Sequence, residues 1–260
     1  MDLFPLYNSL RIAAISSVIV FFTGIFAAYK VAKMPRIVKG ILDVILTLPM
    51  VLPPTVCGYF LLLLFGARRP LGQFLMQFGI KLVMNWPGGV AAAAAVAFPL
   101  MYRTARGAFE SFDEDLAWAG QTLGLSNTWI FWKVRMRACR QGILAGIVLA
   151  FARALGEYGA TSMLIGYTPG RTATVSTTVY QLWRTNDESG AFFWVMVNLA
   201  ISAAVLLTVN LLERRKQTGR EKWRLRYISK SGRETFISGR LFPAGRNSWE
   251  SWAHPAAARA

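Results

Sequence analysis

The chain has 260 residues, of which 54% are hydrophobic and only 16% are charged, and its mean hydropathy is +0.38. This composition excludes an ordinary soluble domain and is typical of a protein with several membrane spans. The formal net charge of +16 would suggest nucleic-acid binding in a soluble protein. In a membrane protein, basic cytoplasmic loops and contact with anionic membrane lipids explain the same excess, so no nucleic-acid partner is expected.

Five apolar segments are long enough to cross a bilayer, which requires roughly 20 mostly apolar residues per helix. Because lipid offers the backbone no hydrogen-bond partners, each segment is predicted to be helical. The predicted spans are residues 10–32, 40–66, 88–109, 141–166 and 190–212. Lys and Arg concentrate after the first, third and fifth spans, which predicts an outside N-terminus and a cytoplasmic C-terminus. The sequence therefore predicts an all-α membrane protein.

The second predicted span contains three prolines. Residues 46–72 are LTLPMVLPPTVCGYFLLLLFGARRPLG, with Pro49, Pro53 and Pro54 in the first half. Each proline lacks an N–H and interrupts a helix, and lipid tolerates the freed carbonyls only where they face protein or a water-filled cavity. The prolines therefore favour a position beside a pore or gate. The alternative is a structural kink with no such role.

A polar segment lies between the third and fourth spans, in a loop of about residues 110–140. Residues 115–125 are DLAWAGQTLGL. Small residues would let a short helix seat closely in a groove, and large apolar ones would anchor it there. The small residues are Ala117, Ala119 and Gly120, and the anchors are Trp118 and Leu123. Gly124 is suited to end the helix. The alternative is an amphipathic helix at the membrane interface.

The fourth predicted span carries two opposite charges. Residues 151–166 are FARALGEYGATSMLIG, in which Arg153 and Glu157 are four apart and would share one helix face. Pairing would offset much of the cost of placing each charge in hydrocarbon. The pair either contacts an anion directly or holds two helices together, and both alternatives stay open. Gly159 would allow a facing helix to approach, and Thr161 and Ser162 offer hydroxyl donors to an oxyanion.

The end of the chain differs from the rest. Residues 216–260 are basic and polar without apolar periodicity, which predicts a mostly disordered cytoplasmic tail after a membrane domain of residues 1–215. The sequence contains no nucleotide-binding P-loop motif, and its histidine, cysteines and carboxylates show no catalytic or metal-binding spacing. We therefore expect no catalytic residue, no metal and no cofactor bound by this chain.

Three of these segments together resemble the molybdate permease family of ABC importers. The proline-rich core within residues 46–72 and the sequence FARALGEYGAT at residues 151–161 carry the most specific resemblance. The loop keeps the spacing of the importers' cytoplasmic coupling pattern, and Ala119 and Gly124 match it. The departures from that pattern are Trp118, Gly120, Met136 and Arg137.

The resemblance implies a type I ABC importer permease fold and ATP-driven import of a tetrahedral oxyanion, either molybdate or tungstate, by alternating access. It implies that two copies of the chain form the pathway and that two ATP-binding cassette ATPase subunits bind and hydrolyse the ATP. It also implies an extracytoplasmic oxyanion-binding protein and a bacterial or archaeal plasma membrane location. A sulfate or thiosulfate importer permease is the main alternative, followed by an ATP-independent anion channel or carrier.

Overall fold

The computed structural model describes residues 3–207, and all regular elements within that range are helices. In chain order they are α1 (Phe4–Ala32), α2 (Arg36–Val51), α3 (Pro54–Phe65), α4 (Pro70–Gln77), α5 (Trp86–Glu110), α6 (Glu114–Thr122), α7 (Asn127–Ile130), a π-helical turn (Phe131–Arg135), α8 (Met136–Ala138), α9 (Arg140–Leu155), α10 (Gly159–Ile165), α11 (Val175–Arg184) and α12 (Glu188–Leu207). The predicted tail of residues 216–260 lies outside the described residues and stays a prediction.

The core is formed by α1, α5 and α9, which pack against one another through small side chains. Fully buried alanines line the helix contacts, among them Ala13, Ala28, Ala93, Ala97 and Ala105. The helices approach so closely that a Cβ added to Gly24 would lie 2.8 Å from Met101 Cγ. Small residues let membrane helices gain dispersion contacts where no hydrophobic effect drives association. The alanine and glycine content of α5 therefore serves packing.

Two helices, α1 and α12, are each long and apolar enough to cross a membrane. Two further candidates are bent pairs, α2 with α3 at 111° and residues 127–138 with α9 at 74°. The described residues thus hold two to four candidate spans. The third predicted span forms a continuous 25-residue helix, α5, but this helix is outside that set.

The second predicted span is broken where the prolines predicted an interruption. Helix α2 ends at Val51, and Leu52 and Pro53 are extended with ψ of 143° and 136°. A residue before proline is pushed out of the α region, and proline itself starts a helix well, so α3 begins at Pro54. Pro49 lies inside α2, one turn before the break.

The fourth predicted span is also broken, which the sequence did not predict. Helix α9 ends at Leu155, Gly156 caps it, and α10 begins only at Gly159. Glycine is a poor helix former, and the two glycines flank the break. Helix α10 is only 7 residues long and ends at Gly166, whose φ of +64° favours glycine.

Candidate functional site

The two helix breaks lie side by side. A Cβ added to Gly159 would be 2.8 Å from Pro54 Cβ and 3.0 Å from Thr55 N, so the start of α10 touches the start of α3. One turn further on, a Cβ added to Gly58 would be 2.8 Å from Ala160 Cα. We call Leu52–Pro54 together with Arg153–Gly159 the helix-break site. It brings together the proline-rich and the charge-bearing segments, which are about 100 residues apart in sequence.

Arg153 and Glu157 form an ion pair, with 2.6 Å between Arg153 Nη1 and Glu157 Oε2. The prediction that both side chains lie on one helix face is wrong, because Glu157 follows the end of α9. The second carboxylate oxygen, Oε1, accepts a hydrogen bond from the N–H of Ala160 at 2.8 Å. Glu157 therefore holds the last turn of α9 and the first turn of α10 together across the break.

The two partners of this pair differ in exposure. The Glu157 side chain is 1% exposed, whereas the Arg153 side chain is 33% exposed. A guanidinium carries five N–H donors, more than the contact with one carboxylate oxygen uses. The arrangement thus fixes a cation at the helix-break site with donor capacity for an anion, while its buried carboxylate partner limits its movement.

The prolines of α2 and α3 leave carbonyls without their helical donors. Pro53 cannot donate to the carbonyl of Pro49, and the thiol of Cys57 donates to that oxygen instead, at 3.6 Å. This carbonyl thus faces protein. Cys57 is buried and lies one turn into α3. Sequence analysis missed this role, although the spacing of a donor four residues after Pro53 was a usable signal.

The side chains of Thr161 and Ser162, whose hydroxyl groups were predicted to meet an oxyanion, contact the chain itself in the structure. Thr161 is 2% exposed, so its side chain is enclosed by the chain. The Ser162 hydroxyl donates to the carbonyl of Gly159 at 3.0 Å. Their predicted contact with the anion, and the pore or gate role of Pro49, Pro53, Pro54, Arg153, Glu157 and Gly159, stay predictions.

The loop between α5 and α9 forms a second surface, which we call the coupling segment (Glu114–Ala138). Its first helix, α6, is capped by Asp113, whose carboxylate accepts the N–H of Asp115 at 3.0 Å. It ends at Thr122 with Leu123 as its C-cap, and the next residue, Gly124, has a φ of +76°. The N–H of Gly124 donates to the carbonyl of Gln121 and that of Leu125 to Gly120, which is a Schellman motif. The proposed helix end is confirmed.

The predicted docking residues of α6 divide between two faces. Trp118 and Leu123 are 60% and 79% exposed, and Ala119 is exposed beside them. Ala117 and Gly120 are buried, and a Cβ added to Gly120 would be 3.1 Å from Ile130. Gly120 thus packs against α7 of the same chain, and Ala117 belongs to the buried core cluster that includes Ile130. Large exposed apolar side chains on a short helix are suited to anchor a partner, and that role stays a prediction.

Arg135 joins the two ends of the coupling segment. Its Nη1 and Nη2 donate to the two carboxylate oxygens of Glu114 at 2.8 and 2.6 Å. These hydrogen bonds lower the pKa of Glu114 below its ordinary value, against the opposing effect of partial burial. The role of Arg135 was not predicted, because no local pattern links positions 21 residues apart.

In sequence, the chain is similar to membrane components and permeases of transport systems. The profile of the family described as "Binding-protein-dependent transport system inner membrane component" matches residues 21–218. The molybdenum transport system permease protein ModB of Escherichia coli K12 is 40% identical over 213 residues, which cover 79% of this chain and 93% of that protein. A putative molybdenum transport permease of Bacillus subtilis is 34% identical, covering 79% and 91%. A sulfate transport permease of Synechococcus elongatus is 32% identical, covering 76% and 68%.

Solved structures show the same fold at low sequence identity. The crystal structure of a bacterial ABC transporter involved in the import of the acidic polysaccharide alginate matches with a TM-score of 0.66 at 15% identity, covering 82% of this chain and 79% of that one. A methionine ABC transporter in an inward-facing conformation matches with a TM-score of 0.63 at 11% identity, covering 81% and 94%. The described helices thus have the fold of ABC importer membrane subunits.

Proposed function

The chain belongs to the family of binding-protein-dependent transport system inner membrane components, and from this premise we propose that it is the membrane permease of a molybdate importer. It is a non-catalytic subunit of the inner membrane, so ATP is bound and hydrolysed by an ATPase partner. The observation that supports molybdate as the substrate is the 40% identity to a molybdenum transport permease over 93% of that protein's length.

We propose a topology of five spans: α1, the α2–α3 pair, α5, the α9–α10 pair and α12. Two of these spans are broken at the helix-break site. Irregular backbone at membrane depth is tolerated only where it is buried in protein or lines a cavity. The positive-inside rule then places the N-terminus outside and the C-terminus, with the coupling segment, in the cytoplasm.

The helix-break site supports a role in the anion pathway. Arg153 supplies a positive charge that is held by the buried Glu157, two residues before Gly159. A membrane-embedded charge pair beside broken helices is a typical arrangement for an ion pathway or gate. Two copies of the chain would enclose the pathway, each contributing one Arg153.

The coupling segment supports a role in ATPase docking. Its exposed Trp118 and Leu123 would enter a groove of the ATPase, while Ala117 and Gly120 hold α6 to the rest of the chain. ATP-driven closure of two ATPase subunits would draw the two coupling segments together and open the pathway outward. An extracytoplasmic binding protein would deliver the anion.

The tail of residues 216–260 is proposed to be dispensable, so truncation after Arg215 should preserve assembly and uptake.

Uptake by the reconstituted complex tests this proposal. The permease, its ATPase and its binding protein are placed in vesicles, and radiolabelled molybdate uptake is measured with and without ATP. We expect ATP-dependent uptake that excess tungstate competes away and excess sulfate does not. Uptake competed by sulfate would favour the sulfate permease instead, which the 32% identity to a sulfate permease keeps as the second candidate. Uptake that persists without the ATPase would indicate a channel or carrier.

A further inference from the structure

The ion pair of Glu114 and Arg135 connects the first helix of the coupling segment to the turn that precedes α9. Both guanidinium nitrogens of the fork meet both carboxylate oxygens, at 2.8 and 2.6 Å. A two-point contact between planar groups fixes orientation as well as distance, which a lysine could not do. Glu114 is the first residue of α6, so the pair holds this helix at its N-terminal end.

Arg135 is enclosed, although it carries a charge. Its side chain is 7% exposed, and its guanidinium carbon lies 4.3 Å from the ring centre of Phe112 and 5.7 Å from that of Tyr29. Removing the carboxylate would leave a buried cation without its partner, which is strongly unfavourable. The guanidinium is therefore held in one place by the carboxylate and the two aromatic rings.

The position of Arg135 links it to the helix-break site. It is the last residue of the π-helical turn Phe131–Arg135, which is followed by α8 and, after a 74° bend at Cys139, by α9. Single π-helical turns occur frequently at functional sites. Where α9 starts, the Cys139 thiol donates to the carbonyl of Ala108 at 3.1 Å. At its other end α9 carries Arg153. A displacement of α6 would thus reach that charge through Arg135, α8 and α9, across the bend at Cys139.

We propose that Arg135 is a positioning residue for transport, which makes α6 and α9 move together when the ATPase displaces the coupling segment. This inference rests on the proposed function, because it assigns a use to the ATPase stroke. Glu114 is its partner in the same role. The pair adds a fixed mechanical connection that is separate from the exposed docking residues Trp118 and Leu123.

The double substitution Glu114→Gln with Arg135→Met separates positioning from stability. Arg135 is buried and Glu114 is half-exposed, so replacing both by uncharged residues of similar size leaves no unpaired buried charge. We therefore expect the double variant to assemble with the ATPase and to hydrolyse ATP, while uptake per ATP hydrolysed falls about fivefold or more, as in typical couplings between sites. Arg135→Lys, which keeps the charge and loses the fork, should also lower this ratio.

A matched control is Lys39→Gln, which removes the 2.7 Å ion pair with Glu110 between α2 and α5. This variant should leave uptake per ATP unchanged. The proposal is overturned if the assembled double variant keeps the wild-type ratio. It is also overturned if uptake and hydrolysis fall in the same proportion, because the pair would then have a structural role only.

A distance measurement tests the connection between α6 and α9 independently of anion transport. Spin labels at Thr122→Cys on α6 and Leu144→Cys on α9, with Cys57→Ser and Cys139→Ser, report the separation of the two helices with and without ATP. We expect a narrow distribution at constant distance in the otherwise wild-type complex and a broad one after the double substitution. Equal distributions would overturn the connection. If wild-type uptake fails instead, the proposed function falls while this distance result still stands.

Discussion

The helix-break site and the coupling segment are built in opposite ways. At the helix-break site, backbones meet through glycine and proline, and a carboxylate that is 1% exposed joins two helix ends. In the coupling segment, large apolar side chains point outward and one ion pair across 21 residues holds the segment in shape. The contact of Gly159 with Pro54 and Thr55 leaves no room for added volume, whereas Trp118 and Leu123 of the coupling segment are exposed. This difference supports the proposal that the helix-break site belongs to the anion pathway and that the coupling segment binds the ATPase.

The largest effect is expected from breaking the pair within the helix-break site. Arg153→Ala leaves Glu157 buried without its cation, at a cost of about 3 kcal/mol, the lower end of the range for buried pairs because Arg153 is one third exposed. Thermal unfolding of the purified permease should show this loss. The double variant with Glu157→Ala should lose less than the single one. If the loss in the double variant equalled the sum of the losses in Arg153→Ala and Glu157→Ala, the two side chains would not interact.

Added volume at the contact between the breaks should have the next largest effect. A methyl group on Gly159 would press against Pro54 and the backbone of Thr55, so Gly159→Ala should destabilise the permease by about 1 to 3 kcal/mol. Gly107→Ala is the matched control, because an added Cβ there meets nothing within 4 Å. It should leave thermal stability unchanged or raise it. Equal behaviour of the two variants would contradict the close packing of α3 and α10.

In the coupling segment, a smaller effect on stability should accompany a larger one on coupling. Gly124 has φ of +76°, so Gly124→Val forces a β-branched residue into the left-handed region at a cost of about 1 to 2 kcal/mol. We expect the end of α6 to shift and ATP hydrolysis to continue with little uptake. Gly124→Asn, which tolerates this backbone conformation, should retain more coupling. Normal uptake by the valine variant would show that the helix end has no role in docking.

The smallest effect concerns the pH dependence of the coupling segment. Because Arg135 lowers the pKa of Glu114 in the folded chain, the pair stabilises α6 at pH values above the unfolded pKa of about 4.3. That stabilisation is lost as the pH falls through the lower, folded value. Hydrogen exchange of residues 114–122, corrected for intrinsic rates, should show protection that decreases only in acid. Glu114→Gln should abolish this step, and a step that persists in the variant would belong to another group.

Local signals made part of both regions predictable from the sequence. Proline has no N–H and restricts the residue before it, so the pair Pro53–Pro54 predicted the break, although Pro49 is accommodated inside α2. Gly124 ended α6 for an equally local reason, its tolerance of positive φ. The all-helical class followed from apolar segments long enough to cross a bilayer. Each of these predictions depends on chemistry within one or two turns of the chain.

Contacts between distant positions could not be predicted in the same way. Helix packing determines both the approach of Gly159 to Pro54 and the ion pair of Arg135 with Glu114. The periodicity of apolar residues in the sequence does not show which helices pack together. The shared helix face of Arg153 and Glu157 was predicted wrongly, because i and i+4 spacing was taken to imply an unbroken helix. The capture of the Ala160 N–H by Glu157 stabilises a break at that point. The predicted pairing of the two side chains is nevertheless found, because Arg153 and Glu157 remain close across the end of α9.

The most direct test of this division is to measure ATPase retention and molybdate uptake on the same two variants. Trp118→Asp removes an exposed anchor of the coupling segment, and Arg153→Gln removes the cation of the helix-break site. We predict that the Trp118 variant loses the ATPase during purification and that the Arg153 variant retains it while uptake fails. An Arg153 variant that transports normally, or a Trp118 variant that keeps both its ATPase and its uptake, would contradict the separate assignment of pathway and coupling.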